Sequence, residues 1–282
     1  DGSLAFRSER QGLFGLIGPD APFSTLDLAP ADAGGFGAVH LAPPEAIWDW
    51  ANGLAGQVGL NANTPLQMAA MQFQATAGQD LRSQFLPALG QEIGLVMLPS
   101  TSPMSPFDGA LILAVDDAAT VNQAVTNIVA GMSQPMAPGQ PPMMQVTPVT
   151  QGEVTYQTVN LGMMAACFGM VGDEHFVLAS SQRAMNAVIA ARGGANVRQS
   201  QAFQAMSGHL GDTGTAIGFS GGSAGQAPMQ SAAMMMGMSG DPTATTIAQA
   251  IPALAAHMGP SGSIVHATAD ALEFHAHSTT GV

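Results

Sequence analysis

Three stretches of the chain share one hydrophobic rhythm. "FGAVHLAPPEAIWDWANGLAGQ" (36–57), "GALILAVDDAATVNQAVTNIVAG" (109–131) and "HFVLASSQRAMNAVIAARGG" (175–194) each open on a short β-prone apolar run. Each then crosses a polar or Pro-containing junction and continues with apolar residues at about 3.6-residue spacing, the period of a helix. In the second stretch Val121, Val125, Ile128 and Val129 fall on one helical face; in the third Met185, Val188 and Ile189 do so. Asp116-Asp117 and Ser180-Ser181 occupy equivalent junctions. Asp and Ser both cap helices, because their side-chain oxygens accept from the free N–H groups of the first turn. A nucleophilic serine on a strand-to-helix elbow needs close glycines, and "ASSQRA" has none. The junction residues are therefore predicted to be caps, and no catalytic residue is predicted.

The remaining pattern adds strands and hairpins. Strands are predicted at 93–99, 152–161 and 214–220, and the opening residues 1–18 read as a strand pair already under way. "MAACFGMVGDEHFVLAS" reads as a hairpin turning at Gly172-Asp173, and "GSIVHATADALEFHAHST" as another turning near Ala269-Asp270. Helices are predicted in "QDLRSQFLPALG", "SQAFQAMSGHLG" and "TTIAQAIPALAAHMG". Hairpins mixed with strand–helix units predict an α+β fold: mostly antiparallel twisted sheets with helices packed on one face, in two similar halves. The halves would be 1–131 and 151–282, joined by a Pro/Met-rich connector at 132–150, with a Gly/Met-rich insertion at 220–244. The connector could equally be a long loop within one continuous sheet.

Charge narrows the range of functions. The chain has 282 residues, only 9% of them charged, with six Arg, no Lys and a net charge of −13. Nucleic-acid binding requires many cations to neutralise phosphates, and anionic headgroups would repel this chain, so neither is an expected partner. A surface this poor in charge is weakly protected against association, which points to other protein subunits as partners; GC-rich codon usage would give the same bias. The lone Cys167 excludes an internal disulfide and reads as a buried small hydrophobe. No signal peptide or membrane-spanning run is visible, and the chain opens in mid-pattern, as a processed or truncated piece of a longer product would.

Candidate chemistry is sparse. Methionine clusters in the connector (Met132, Met136, Met143, Met144) and in the insertion (Met229, Met234, Met235, Met236, Met238). Thioethers suit Cu(I), but no His lies within either cluster, and Met also fills adaptable interfaces. These residues, with Trp48 and Trp50, are the predicted interaction surface; on a helix the two rings project about 200° apart, one buried and one partly exposed. His275 and His277 would point to one face of a strand, with His266 near them if the hairpin register allows, a set that would suit zinc or copper. A solvent-facing polar row is the simpler account of the three, and no metal or cofactor site is predicted.

"LAPADAGGFGAVHLAPPEAIWDW", "FLPALGQEIGLVML", "GALILAVDDAATVNQAV" and "FVLASSQRAMNAVIA" followed by "SQAFQAM" resemble an uncharacterised family of bacterial extracytoplasmic proteins that carry a domain of unknown function. The resemblance covers most of residues 25–220, and the Met-rich insertion departs from the family's pattern. It implies secretion, often with a lipid or membrane anchor near the N-terminus, and it implies no catalytic residues. The expected function is a non-enzymatic extracytoplasmic (periplasmic or cell-surface) structural or accessory subunit in a protein assembly. Any membrane association would come through a partner or through an N-terminal anchor outside this chain. The alternative is a binding protein for a small ligand or copper through the Met-rich loops.

Overall fold

A computed structural model describes residues 1–6, 10–57, 65–99, 108–133, 144–161, 164–221 and 259–278. The fold is α+β, dominated by one antiparallel sheet of eleven strands among the described residues. Its strands in spatial order are β1 (Gly2–Ala5), β13 (Ala271–Ser278), β12 (Ser261–Ala267), β11 (Ala216–Ser220), β3 (Gly35–His40), β4 (Leu89–Leu98), β5 (Asp108–Val115), β9 (His175–Ala179), β8 (Met164–Met170), β7 (Val154–Leu161) and β6 (Gln145–Gln151). A two-residue pair, β2 (Ala21–Pro22) with β10 (Thr213–Gly214), stands apart. Strands from before and after the expected connector lie side by side in this one sheet, β5 against β9 and β3 against β11.

The three strand–helix units form as the periodicity predicts. β3 leads to α1 (Pro44–Gln57), β5 to α3 (Ala118–Met132) and β9 to α4 (Gln182–Arg192). Asp117 caps α3, accepting from the N–H groups of Ala119 at 3.0 Å and Thr120 at 3.2 Å. Ser181 caps α4, accepting from Ala184 N–H at 3.0 Å. Both residues finish helices, as their positions predict. A further helix, α5 (Gln201–Leu210), is capped by Ser200. Both predicted hairpins also form, β8–β9 and β12–β13. The turn of the first places Gly172 at φ +74°, where side chains other than glycine are strained.

Alternation along the strands separates two faces. On one lie Phe36 and Ala38, Val96, Ala110 and Ile112, Val177 and Ala179, Cys167, Tyr156, Ile217 and Phe219; all are buried in the main core. α4 covers this face through Ala184, Met185 and Val188, and α5 through Phe203 and Met206. A smaller cluster on the other face joins Val121 and Val125 of α3 to Val115, Met170 and Phe176.

Three local expectations are corrected. Residues 2–5 do form a strand, but it pairs with β13 and not with the residues that follow, which turn through a 3-10 segment, Gly12–Leu16, with Gly12 at φ +62°. "QDLRSQFLPALG" makes only a π turn (Leu81–Phe85) and a 3-10 turn (Leu86–Ala88), because Pro87 lacks the N–H that a continuing helix needs. A helix that the sequence reading does not predict, α2 (Pro65–Ala77), packs on α3; Leu66, Ala70, Phe73 and Ala77 make its inner row at helical spacing, and of these only Ala77 is fully buried.

Candidate functional site

The most concentrated buried polar group lies where β4 meets a 3-10 turn, Ser24–Leu28. Glu92 sits on the core side of β4 and is buried, as are Thr25, His40 and His175. Its carboxylate receives the first turn of the 3-10 segment. Oε2 accepts from Ser24 N–H at 2.9 Å and Ser24 Oγ at 2.7 Å; Oε1 accepts from Thr25 N–H at 2.9 Å and Thr25 Oγ1 at 2.5 Å. Four donors on one buried carboxylate offset its loss of water. Two strands away, His175 Nε2 stands 3.0 Å from Ser24 Oγ. On β3, His40 is the cross-strand neighbour of Glu92 and stacks on Phe23, ring centres 4.7 Å apart. The turn reaches the sheet because residue 94 is glycine: a Cβ there would lie 2.8 Å from Thr25 Cβ. Arg198 clamps the same turn from outside, donating to Asp27 and Asp212 at 2.8 Å each and to Phe23 O at 2.7 Å.

Ser24, Glu92 and His175 are the residue types of a hydrolytic triad, but their bonds run the other way. Ser24 spends its single hydroxyl proton on Glu92, so His175 Nε2 must donate to Ser24 Oγ and cannot accept its proton. The nearest backbone donors, the N–H groups of Ser24 and Thr25, are also committed to Glu92. A nucleophilic serine instead needs a base that takes its proton and free N–H groups for the oxyanion. Here the carboxylate acts as an N-terminal cap supplied from a distant strand. Burial holds His175 below the ordinary histidine value; Glu92, Glu174 and Asp27 pull it upward and Arg192 adds to the depression. No local sequence signal marks this cluster, whose members lie 68 and 151 positions apart.

A second polar cluster surrounds the end of α4's cap. Asp108 Oδ1 accepts from Ser180 Oγ at 3.1 Å and Ser181 Oγ at 2.6 Å, and its Oδ2 pairs with Arg183 at 2.6 Å. Ser180 Oγ also accepts from Gly109 N–H at 2.9 Å. These bonds tie the start of α4 to the start of β5.

The predicted interaction residues are dispersed. Trp48 and Trp50 on α1 are both half-buried, so one ring is partly exposed as expected but neither is fully buried. Trp48 lines an open groove of about 590 Å³ between α1 and α2, with Asn52, Met71 and Gln74 and the Asp49–Arg82 ion pair. Met132 ends α3 and Met144 precedes β6, both half-buried. Met136, Met143, Met229, Met234, Met235, Met236 and Met238 lie outside the described residues, as does the predicted helix in "TTIAQAIPALAAHMG" apart from its last residue.

The sheet face opposite the core carries two parallel apolar rows with different fates. Ile93, Leu113, Phe176 and Met170 sit opposite one another on β4, β5, β9 and β8. Phe176 and Met170 are roofed by α3, while Ile93 and Leu113 line a recess with Ile47 of α1. In the next row, Leu95, Leu111, Leu178 and Phe168, two members are exposed and two half-buried: Leu95 is 48% and Leu178 44% exposed, Met97 beyond them 44%, and no described helix packs over them. Four strands thus present a continuous uncharged apolar strip, a feature that marks contact surfaces.

The fold and these sites define an α+β protein built on one wide antiparallel sheet, with exposed apolar residues on one face among the described residues. Comparison with protein-family models, with curated proteins and with solved structures finds no match for this chain.

Proposed function

We propose that the chain is a non-enzymatic structural or accessory subunit that works outside the cytoplasm, in line with the family it resembles, and that it packs against other protein subunits. The observation that carries this reading is the row Leu95–Leu111–Leu178–Phe168, with Leu95 and Leu178 exposed, beside a row whose Phe176 and Met170 are covered by α3. Only protein or another apolar surface complements such a strip, and anionic nucleic acid and anionic lipid are poor partners for a chain of net charge −13. The strip itself carries no charge, so two copies could meet there without the repulsion that the rest of the surface would impose. A second copy is therefore the simplest occupant.

Light scattering coupled to size-exclusion chromatography tests this. The wild-type chain should show a concentration-dependent mass above the monomer, and the pair Leu95→Asp and Leu178→Asp should return it to the monomer with unchanged circular dichroism. A wild-type chain that stays monomeric at all concentrations overturns the self-contact, and an assembly that survives both substitutions removes the strip from it.

A further inference from the structure

The histidines of the last hairpin are only partly brought together. In the β12–β13 register His266 faces Glu273 and Ile264 faces His275, which puts His266 and His275 diagonally adjacent on one face. Their ring centres are 5.7 Å apart at 63°. His277 is on the same strand face but stacks on His209 of α5 at 4.2 Å, so it is engaged elsewhere.

Each member of the close pair has its Nδ1 held by a carboxylate. His266 Nδ1 is 2.7 Å from Asp20 Oδ2, and His275 Nδ1 is 3.2 Å from Asp1 Oδ1. Asp20 is itself built in, its Oδ1 accepting from Ala267 N–H at 2.9 Å and Thr215 Oγ1 at 2.7 Å. Burial raises Asp20, but these bonds and His266 outweigh it and hold the carboxyl below its ordinary value. An ionised carboxylate only accepts, so a neutral ring facing it carries its proton on Nδ1 and keeps the lone pair on Nε2. Neither Nε2 has a partner among the described residues, and the two side chains are 31% and 40% exposed.

We propose that His266 and His275 form a binding site for a divalent transition-metal ion, zinc or copper(II), through their Nε2 atoms. Metal–nitrogen bonds of about 2.0–2.1 Å place the centres of two rings on one ion roughly 4.5–5.5 Å apart, and the 5.7 Å of this pair reaches that range with a small rotation of either side chain. A carboxylate on the far nitrogen is the usual outer partner of a metal-bound histidine, since it fixes the tautomer and raises ligand basicity. Among the described residues no group of three or more His, Cys, Asp and Glu surrounds one point. Water completes the coordination, and the ion is exchangeable.

Isothermal titration of the intact chain with zinc sulfate, and electron paramagnetic resonance with one equivalent of copper(II), test the site. The wild-type chain should bind one ion, and the copper spectrum should show two nitrogen ligands. His266→Gln and His275→Gln should each weaken binding at least tenfold with unchanged circular dichroism, whereas His277→Gln should leave it within twofold. Asp20→Asn should weaken it by about 10–100-fold as a positioning change. Absence of saturable binding, or binding that neither His266→Gln nor His275→Gln alters, overturns the proposal.

Discussion

Single residues decide whether the core can hold the charge it contains. Glu92 is tolerable because the turn at 24–28 directs four donors at it. Glu92→Gln would set an amide NH₂ against donors already in place, leaving buried groups unpaired, and should cost about 1–3 kcal/mol in urea unfolding. His175 makes a separate pH prediction. Its folded value lies below the ordinary 6.5, so as pH falls the unfolded chain takes up this proton first. The stability it contributes is complete above 6.5 and is lost as pH drops from there through the depressed folded value. His175→Gln keeps a donor toward Ser24 and should flatten the decline in urea midpoint that sets in as pH falls below 6.5. None of this was legible in the chain as written. Glu92 lies just before the strand predicted at 93–99, with nothing nearby in the chain to pair it, and only the approach of Thr25 over Gly94 gives it partners. Ser181 was legible, because a cap and its N–H partner lie three residues apart.

At the scale of elements, the sequence makes legible what local chemistry fixes. The change of period at Asp117 and Ser181, and the glycine at the β8–β9 turn, act within one or two turns of chain. Ser181→Ala should therefore lower stability by about 0.5–2 kcal/mol, and hydrogen exchange in the first turn of α4 should speed up while the rest of the sheet stays protected. The misreadings have the opposite cause. Leu81–Ala88 has helical spacing, but Pro87 forces a tighter turn that feeds β4. β1 could not be paired from sequence, because its partner β13 ends the described chain. The histidine set was half legible: strand parity put His275 and His277 on one face, but pairing with His266 depended on the diagonal of the register, and the packing of α5 took His277 away.

The whole molecule is a wide sheet, and a wide sheet has edges as well as faces. Among the described residues its two edge strands are β1, only four residues long, and β6, seven residues long. A short edge offers little template for another strand, but β6 alternates Val146, Thr147, Val149 and Thr150 and is a good one. It carries Pro148 at its centre, exposed, opposite Gln157 of β7. Proline has no N–H to donate to an incoming strand and is confined in sheets to edges of this kind. The low charge of the chain makes this guard more important, since no lysine and few glutamates are present to repel a second edge. Association would then be directed to the open apolar strip and away from β6. Pro148→Val restores the donor and raises β-propensity, so it should leave the folded sheet at least as stable while promoting thioflavin-positive or high-mass aggregates at concentrations where the wild-type chain shows none. If Pro148→Val and wild type aggregate equally, the edge is protected by something other than this proline. Leu95→Asp with Leu178→Asp in the Pro148→Val background separates the two surfaces: edge aggregation should persist after contact through the strip has been abolished.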